Sequence, residues 1–168
     1  RWPLGLLALN KGIGGGSPKR RFVEVHGPSD SGKTTFVLEV IRDIADQEQE
    51  TLTDPRGKRI VYFDHESALD LAYAERVTGR PFGYVTNIAD LAAVWHAHQI
   101  IYFCPPTLEI DAKMTSCFLR AGKLLYSVHD SLAAMTPKAL AFNASGSAKG
   151  KAIDGCDEER PALLARLL

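Results

Sequence analysis

Two kinds of apolar pattern alternate along this chain. Short runs rich in β-branched and aromatic residues predict strands at 21–26, 59–64, 99–103 and 124–129. Between them apolar residues recur at helical spacing. Phe36, Val37, Val40, Ile41, Ile44 and Ala45 fall on one face, with Asp43, Asp46, Glu48 and Glu50 on or near the other, which predicts a helix over 34–48. The same period predicts helices over 67–78, 88–98 and 107–121, the last carrying Leu108, Met114, Cys117 and Phe118. Asp54-Pro55-Arg56-Gly57 reads as a turn before the second strand. Strands alternating with helices predict an α/β fold whose mainly parallel sheet is wrapped by crossover helices. Two stretches stand apart: a glycine-rich loop from Gly12 to Lys19, and a mildly basic loop over 143–157 that precedes a short closing helix at 161–168.

Composition narrows this to one globular domain over residues 1–168, since 45% of the chain is hydrophobic and 24% charged. Lys plus Arg and Asp plus Glu both number 20, so a surface for nucleic acid must be local rather than global. Cys104, Cys117 and Cys156 are odd in number and lack C-x-x-C spacing, which fits neither a disulfide framework nor a zinc site and suggests a reducing, intracellular setting. The apolar run at 4–9 is interrupted by Asn10-Lys11 too early for a secretory signal. No run approaches the roughly 18 apolar residues of a membrane span, so a membrane is not an expected partner.

The candidate chemistry begins at Gly27-Pro28-Ser29-Asp30-Ser31-Gly32-Lys33-Thr34-Thr35, which fits G-x-x-x-x-G-K-[ST], the phosphate-wrapping loop of P-loop NTPases. A helix start leaves backbone N–H groups without internal acceptors, and its dipole favours an anion there. Gly27 and Gly32 allow close approach of the main chain, Lys33 would reach the β- and γ-phosphates, and the Thr34 hydroxyl would ligate Mg²⁺. The competing reading, a surface glycine turn, leaves Lys33-Thr34 unexplained. Asp130, at the end of an apolar strand, is a candidate for the Mg²⁺ shell, although strand-end aspartates also serve as caps. Glu66, just past the second strand, lies on the sheet edge where ligands bind in open α/β folds, and it could accept a proton from water aimed at a γ-phosphate. A solvated first-turn glutamate is the alternative.

Three separated segments, in order, resemble the bacterial RecA recombinase family: Val23–Pro28 with Ser31–Thr35, Asp64–Ala74, and Asp130–Ala139. The resemblance implies a RecA-like P-loop ATPase core that uses ATP and Mg²⁺. It implies Lys33 and Thr34 at phosphate and metal, Glu66 as the catalytic carboxylate, Asp130 at the metal shell, and Asp70 and Tyr73 at the adenine. From spacing alone, Asp70 and Tyr73 share a helix face, and a core tyrosine is equally compatible. The resemblance further implies single-stranded DNA as a partner, self-association into a filament or ring with nucleotide between subunits, a cytoplasmic, nucleoid-associated location, and work in recombination and DNA repair. Residues 139–158 would correspond to the first DNA-binding loop, where Lys149 and Lys151 could touch phosphates.

Departures accompany it. Ser29 and Asp30 replace the glutamate and serine usual in the family's loop, residues 82–103 match poorly, and the amino-terminal polymerisation helix and the second DNA loop have no counterpart. The expectation is therefore a divergent or truncated core. A RecA-like module that binds nucleotide or DNA without useful turnover is one alternative, and a P-loop kinase of another class is a second. Scattered arginines at 120, 160 and 166 argue against the kinase's lid. His96-x-His98 places its rings on different helix faces with no third ligand evident, and Trp95 reads as core.

Overall fold

A computed structural model describes residues 1–135; the 143–157 loop with Lys149 and Lys151 and the closing helix at 161–168 lie outside the described residues. The elements run α1 (Leu7–Gly12), α2 (Lys33–Gln47), α3 (Gln49–Thr53), β1 (Arg59–Asp64), α4 (Leu71–Thr78), β2 (Phe82–Tyr84), α5 (Leu91–Ala97), β3 (Ile100–Phe103), α6 (Leu108–Arg120) and β4 (Leu124–Asp130). They divide into two compact units. One comprises residues 1–50 and 70–80, the other residues 51–69 and the chain from Pro81 onward.

In the first unit α2 packs with α4. Of the apolar stripe expected over 34–48, Val40, Ile41, Ile44 and Ala45 are buried, Phe36 and Val37 are only half-buried, and Leu38, outside the expected stripe, is buried with them. Trp2 and Ser17 exchange backbone hydrogen bonds of 2.7 and 2.8 Å, and the Lys19 ammonium sits 3.8 Å from the centre of the Trp2 ring. Arg80 donates to Asp46 at 2.8 Å and to Gln49 at 2.7 Å, tying the end of the 70–80 segment to the end of α2.

The second unit holds a four-stranded, all-parallel sheet in the order β2-β3-β1-β4. Every residue of β1 and β3 is buried, as the unbroken apolar runs of central parallel strands predict. Val61, Phe63, Ile101 and Phe103 form one core with Leu91 and Trp95 of α5 and Met114 and Phe118 of α6, where Trp95 stacks on Phe118 at 5.0 Å. Trp95 is thus core, as read. Arg59 and Asp64, at the two ends of β1, are the charged exceptions, and the Arg59 guanidinium donates to the carbonyls of Trp95, Lys58 and Pro55 at 2.8, 2.8 and 3.0 Å. Burial lowers its pKa, partly opposed by Asp54. These bonds fasten the predicted 54–57 turn, closed by Gly57 N–H to Asp54 O at 2.8 Å, beneath the sheet.

Several expectations are corrected. The strand expected at 21–26 is not formed: residues 22–28 carry no regular structure, and Phe22, Val23 and Val25 are exposed. An extended run becomes a strand only by pairing, and the described sheet has no fifth member. The helix expected from 67 begins at Leu71, because residues 65–69 wrap around the Asp64 carboxylate. The helix expected over 88–98 is split into a 3₁₀ turn, Ile88–Asp90, capped by Asn87, and then α5. Strand β2 and helices α1 and α3 are additions. With three residues and a central glycine, β2 offers no alternation to read; a Cβ on Gly83 would stand 2.5 Å from Val94 Cγ1, so the glycine lets α5 lie directly on the strand.

Candidate active site

The phosphate-loop signature folds as a tight turn into α2. Gly32, the residue before the helix, has φ +81°, and Asp30 has φ +60°. The first of these positions asks for glycine, as read from the motif. A Cβ on Gly27 would meet Ser31 Oγ at 2.7 Å, a contact that turning the serine side chain relieves. Lys33 Nζ turns back over the loop and donates to the carbonyls of Gly27 and Pro28 at 3.0 and 2.7 Å. The ammonium is therefore held over the loop that its own helix start completes. Pro28 and Ser29 line the same turn, and Ser31 N–H closes on Pro28 O at 3.4 Å.

Asp70 caps α4, its Oδ1 accepting from Tyr73 N–H at 3.1 Å. The Tyr73 hydroxyl lies 2.8 Å from Thr35 Oγ1. Tyr73 thus joins α4 to the residue after Thr34, and the Asp70–Tyr73 pairing suggested by spacing exists as a cap rather than as a side-chain pair. Among the predicted residues, the loop, Asp70 and Tyr73 belong to the first unit, and Glu66 and Asp130 to the second.

In the second unit the carboxyl ends of β1 and β4 meet in register, Asp64 opposite Asp130. Tyr62 donates to Asp130 Oδ2 at 2.6 Å. Burial, then that hydrogen bond, raises the Tyr62 pKa well above the usual phenol range, which keeps the proton on the tyrosine as the donor. Glu66 Oε1 accepts from Ser131 Oγ at 2.5 Å, so the residue past β1 and the residue past β4 are joined as well. Glu66 and Asp130 are brought to one sheet edge, as expected of the carboxyl ends of parallel strands.

Asp64 is the residue that the motif reading passed over. Its Oδ1 accepts from the N–H groups of Glu66 and Ser67 at 2.9 and 2.8 Å, and its Oδ2 from those of Ala68 and Leu69 at 3.0 and 2.9 Å. Tyr102 adds a fifth bond to Oδ2 at 2.8 Å. The Tyr102 pKa is raised first by burial, then by bonds to Cys104 and Asp64. One buried carboxylate thus shapes the turn that carries Glu66. The available signal was the D-x-E spacing at the strand end, where a short acidic side chain can gather several following N–H groups.

His65, Asp111 and His129 form a second group on the same edge. His65 Nε2 and His129 Nδ1 both lie 2.7 Å from Asp111 Oδ2. Burial alone would raise the Asp111 pKa, but the bonds from His129 and His65 outweigh it and hold the carboxyl at about 2. The sequence reading missed this cluster because its members are 46 and 18 residues apart. The pair it did weigh, His96 and His98, instead makes separate contacts with the carbonyls of Pro55 and Val94. Cys104 and Cys117 are free thiols, and among the described residues no helix is long and apolar enough to cross a membrane.

Residues 2–151 match the family described as the RecA N-terminal domain. Over 138 residues, 82% of this chain, the sequence is 38% identical to Protein RecA of Methylococcus capsulatus and covers 33% of that protein. It is 36% identical to Protein RecA of Bifidobacterium breve and 33% identical to that of Bacillus subtilis, again over 82% of this chain, covering 29% and 32% of those proteins. The chain spans about a third of the length of the curated relatives it matches. A phosphate loop opening α2, a parallel sheet with carboxylates at its carboxyl edge, and these matches agree: the chain belongs to the RecA family.

Proposed function

We propose that this chain is a RecA-like, DNA-dependent ATPase core that binds single-stranded DNA and self-associates during homologous recombination and DNA repair in the cytoplasm. The reading is supported by the chemistry each unit carries by itself: a Lys33-bearing phosphate loop opening α2, and two carboxylates, Glu66 and Asp130, at the carboxyl edge of a parallel sheet.

The residues fit ATP and Mg²⁺ on their chemistry. The Lys33 ammonium already donates to two oxygen partners, the carbonyls of Gly27 and Pro28, and can exchange them for phosphate oxygens. Gly27 through Thr35 would wrap the phosphates, Thr34 and Asp130 would hold Mg²⁺, and Asp70 and Tyr73 would lie at the adenine. When bound, Mg²⁺ neutralises charge that develops on the phosphoryl oxygens. Glu66 orients water and takes its proton, with Ser131 fixing the carboxylate through Oε1. Tyr62 holds Asp130 in place through its hydrogen bond to Oδ2. Lys149 and Lys151 would contact DNA phosphates.

DNA-stimulated ATP turnover tests this. Lys33→Ala and Glu66→Ala should each reduce the rate about 100-fold or more, the scale for losing one group that acts on transition-state charge. Unchanged turnover in both variants would overturn the mechanism. Electron microscopy with single-stranded DNA, with and without a non-hydrolysable ATP analogue, should show nucleotide-dependent filaments.

A further inference from the structure

The His65–Asp111–His129 group has no part in the hydrolysis proposed above. His65 follows β1, Asp111 stands in the first turn of α6, and His129 precedes the last residue of β4, so three elements each deliver one side chain. One donor atom from each residue lies within 4.8 Å of the others. The His65 and Asp111 side chains are only 2% and 3% exposed, whereas that of His129 is 23% exposed.

Asp111 and His129 are also held from outside the group. Thr115 Oγ1 donates to Asp111 Oδ1 at 3.0 Å, His129 Nε2 lies 3.2 Å from Ser127 Oγ, and Phe63 stacks on the His129 ring at 4.9 Å. Outer contacts of this kind fix the tautomer and ring plane of metal-binding histidines. Among the described residues the ion-pair partners of Asp111 are the two imidazoles alone.

We propose that His65 Nε2, Asp111 Oδ2 and His129 Nδ1 are the protein ligands of a divalent d-block cation of the zinc type. Two nitrogens and one carboxylate oxygen form a donor set such ions take, with the fourth position left to water on the partly exposed His129 side. Ligand atoms about 2.1 Å from a tetrahedral ion stand about 3.4 Å apart, so the present 2.7 Å contacts must open by less than an ångström. With His129 Nδ1 on the ion, its Nε2 is the nitrogen left to donate to Ser127 Oγ. The ion would fasten the ends of β1 and β4 to α6 one residue away from both Glu66 and Asp130. It is independent of whether those carboxylates hydrolyse ATP.

Chelator-treated full-length chain titrated with Co²⁺ in excess Mg²⁺, and followed by visible absorption, tests the site. The expected result is one Co²⁺ per chain, with ligand-field bands and no thiolate charge-transfer band, displaced by Zn²⁺. His129→Ala and Asp111→Asn should weaken binding by more than the roughly 10- to 100-fold that follows loss of an outer contact. Circular dichroism checks the fold of each variant, and His129→Ala, whose side chain is the most exposed of the three, decides the question if Asp111→Asn does not fold. Absence of stoichiometric Co²⁺, a thiolate band, or unchanged affinity in a folded variant would overturn the proposal.

Discussion

Asp64→Asn is the sharpest test of how this structure holds its candidate catalytic glutamate. The carboxylate is 2% exposed and accepts five hydrogen bonds, two on Oδ1 and three on Oδ2. Asparagine keeps one oxygen. Placed where Oδ2 stands, that oxygen retains Ala68, Leu69 and Tyr102, while the amide NH₂ faces the N–H groups of Glu66 and Ser67. Two bonds to a charged acceptor are lost, at about 1.5–3 kcal/mol each, and the remaining three weaken because their acceptor is now neutral. Removing a buried charge returns part of this, so the expected loss is about 3–5 kcal/mol. That is a large share of the roughly 5–15 kcal/mol by which domains are stable. Urea unfolding should show a lower midpoint at unchanged slope, and amide hydrogen exchange at residues 66–69 should accelerate more than at the β1 and β3 amides. A loss below about 1 kcal/mol, with protection at 66–69 retained, would refute the claim that Asp64 organises this turn.

Two further substitutions separate positioning from structure. Tyr62→Phe removes the 2.6 Å bond to Asp130 and should cost about 1.5–3 kcal/mol, the range for a bond to a charged group, while raising the Mg²⁺ concentration needed for half-maximal ATP turnover. A stability loss with no change in Mg²⁺ requirement would confine Tyr62 to packing. Asp70→Ala deletes the α4 cap and should cost about 1 kcal/mol in urea unfolding; if Asp70 also lies at the adenine, weaker ATP binding accompanies it, measurable with labelled nucleotide.

What the sequence disclosed divides along a physical line. Strands β1 and β3 were legible to within a residue because a buried parallel strand is largely apolar, the half-buried β4 by its apolar start Leu124-Leu125-Tyr126, and the helices α2 and α6 because one face must be apolar. Both are properties of a segment taken alone. The run at 21–26 shows where such reasoning stops, since its composition is that of a strand but strand formation depends on a partner that the segment does not contain. The site divides in the same way. Lys33 and Gly32 announced themselves because the loop's chemistry is local, needing an unstrained positive φ and an ammonium within a few residues.

Asp64 and Asp111 did not, although each organises more of the carboxyl edge than any motif residue. An aspartate in isolation is ambiguous among cap, ligand and solvated charge, and the ambiguity is resolved only by what folding brings to its oxygens. For Asp64 these are four successive N–H groups and a phenol 38 residues away; for Asp111 they are two imidazoles, one just past β1 and one on β4. The cost of burying a carboxylate makes such partners necessary rather than incidental, because an unpaired charge at these positions would cost several kcal/mol. A buried aspartate at the end of a parallel strand therefore implies a set of donors around it. Here the donors of Asp64 carry Glu66 on their backbone, so the residue that the motif identified is placed by the one that it did not.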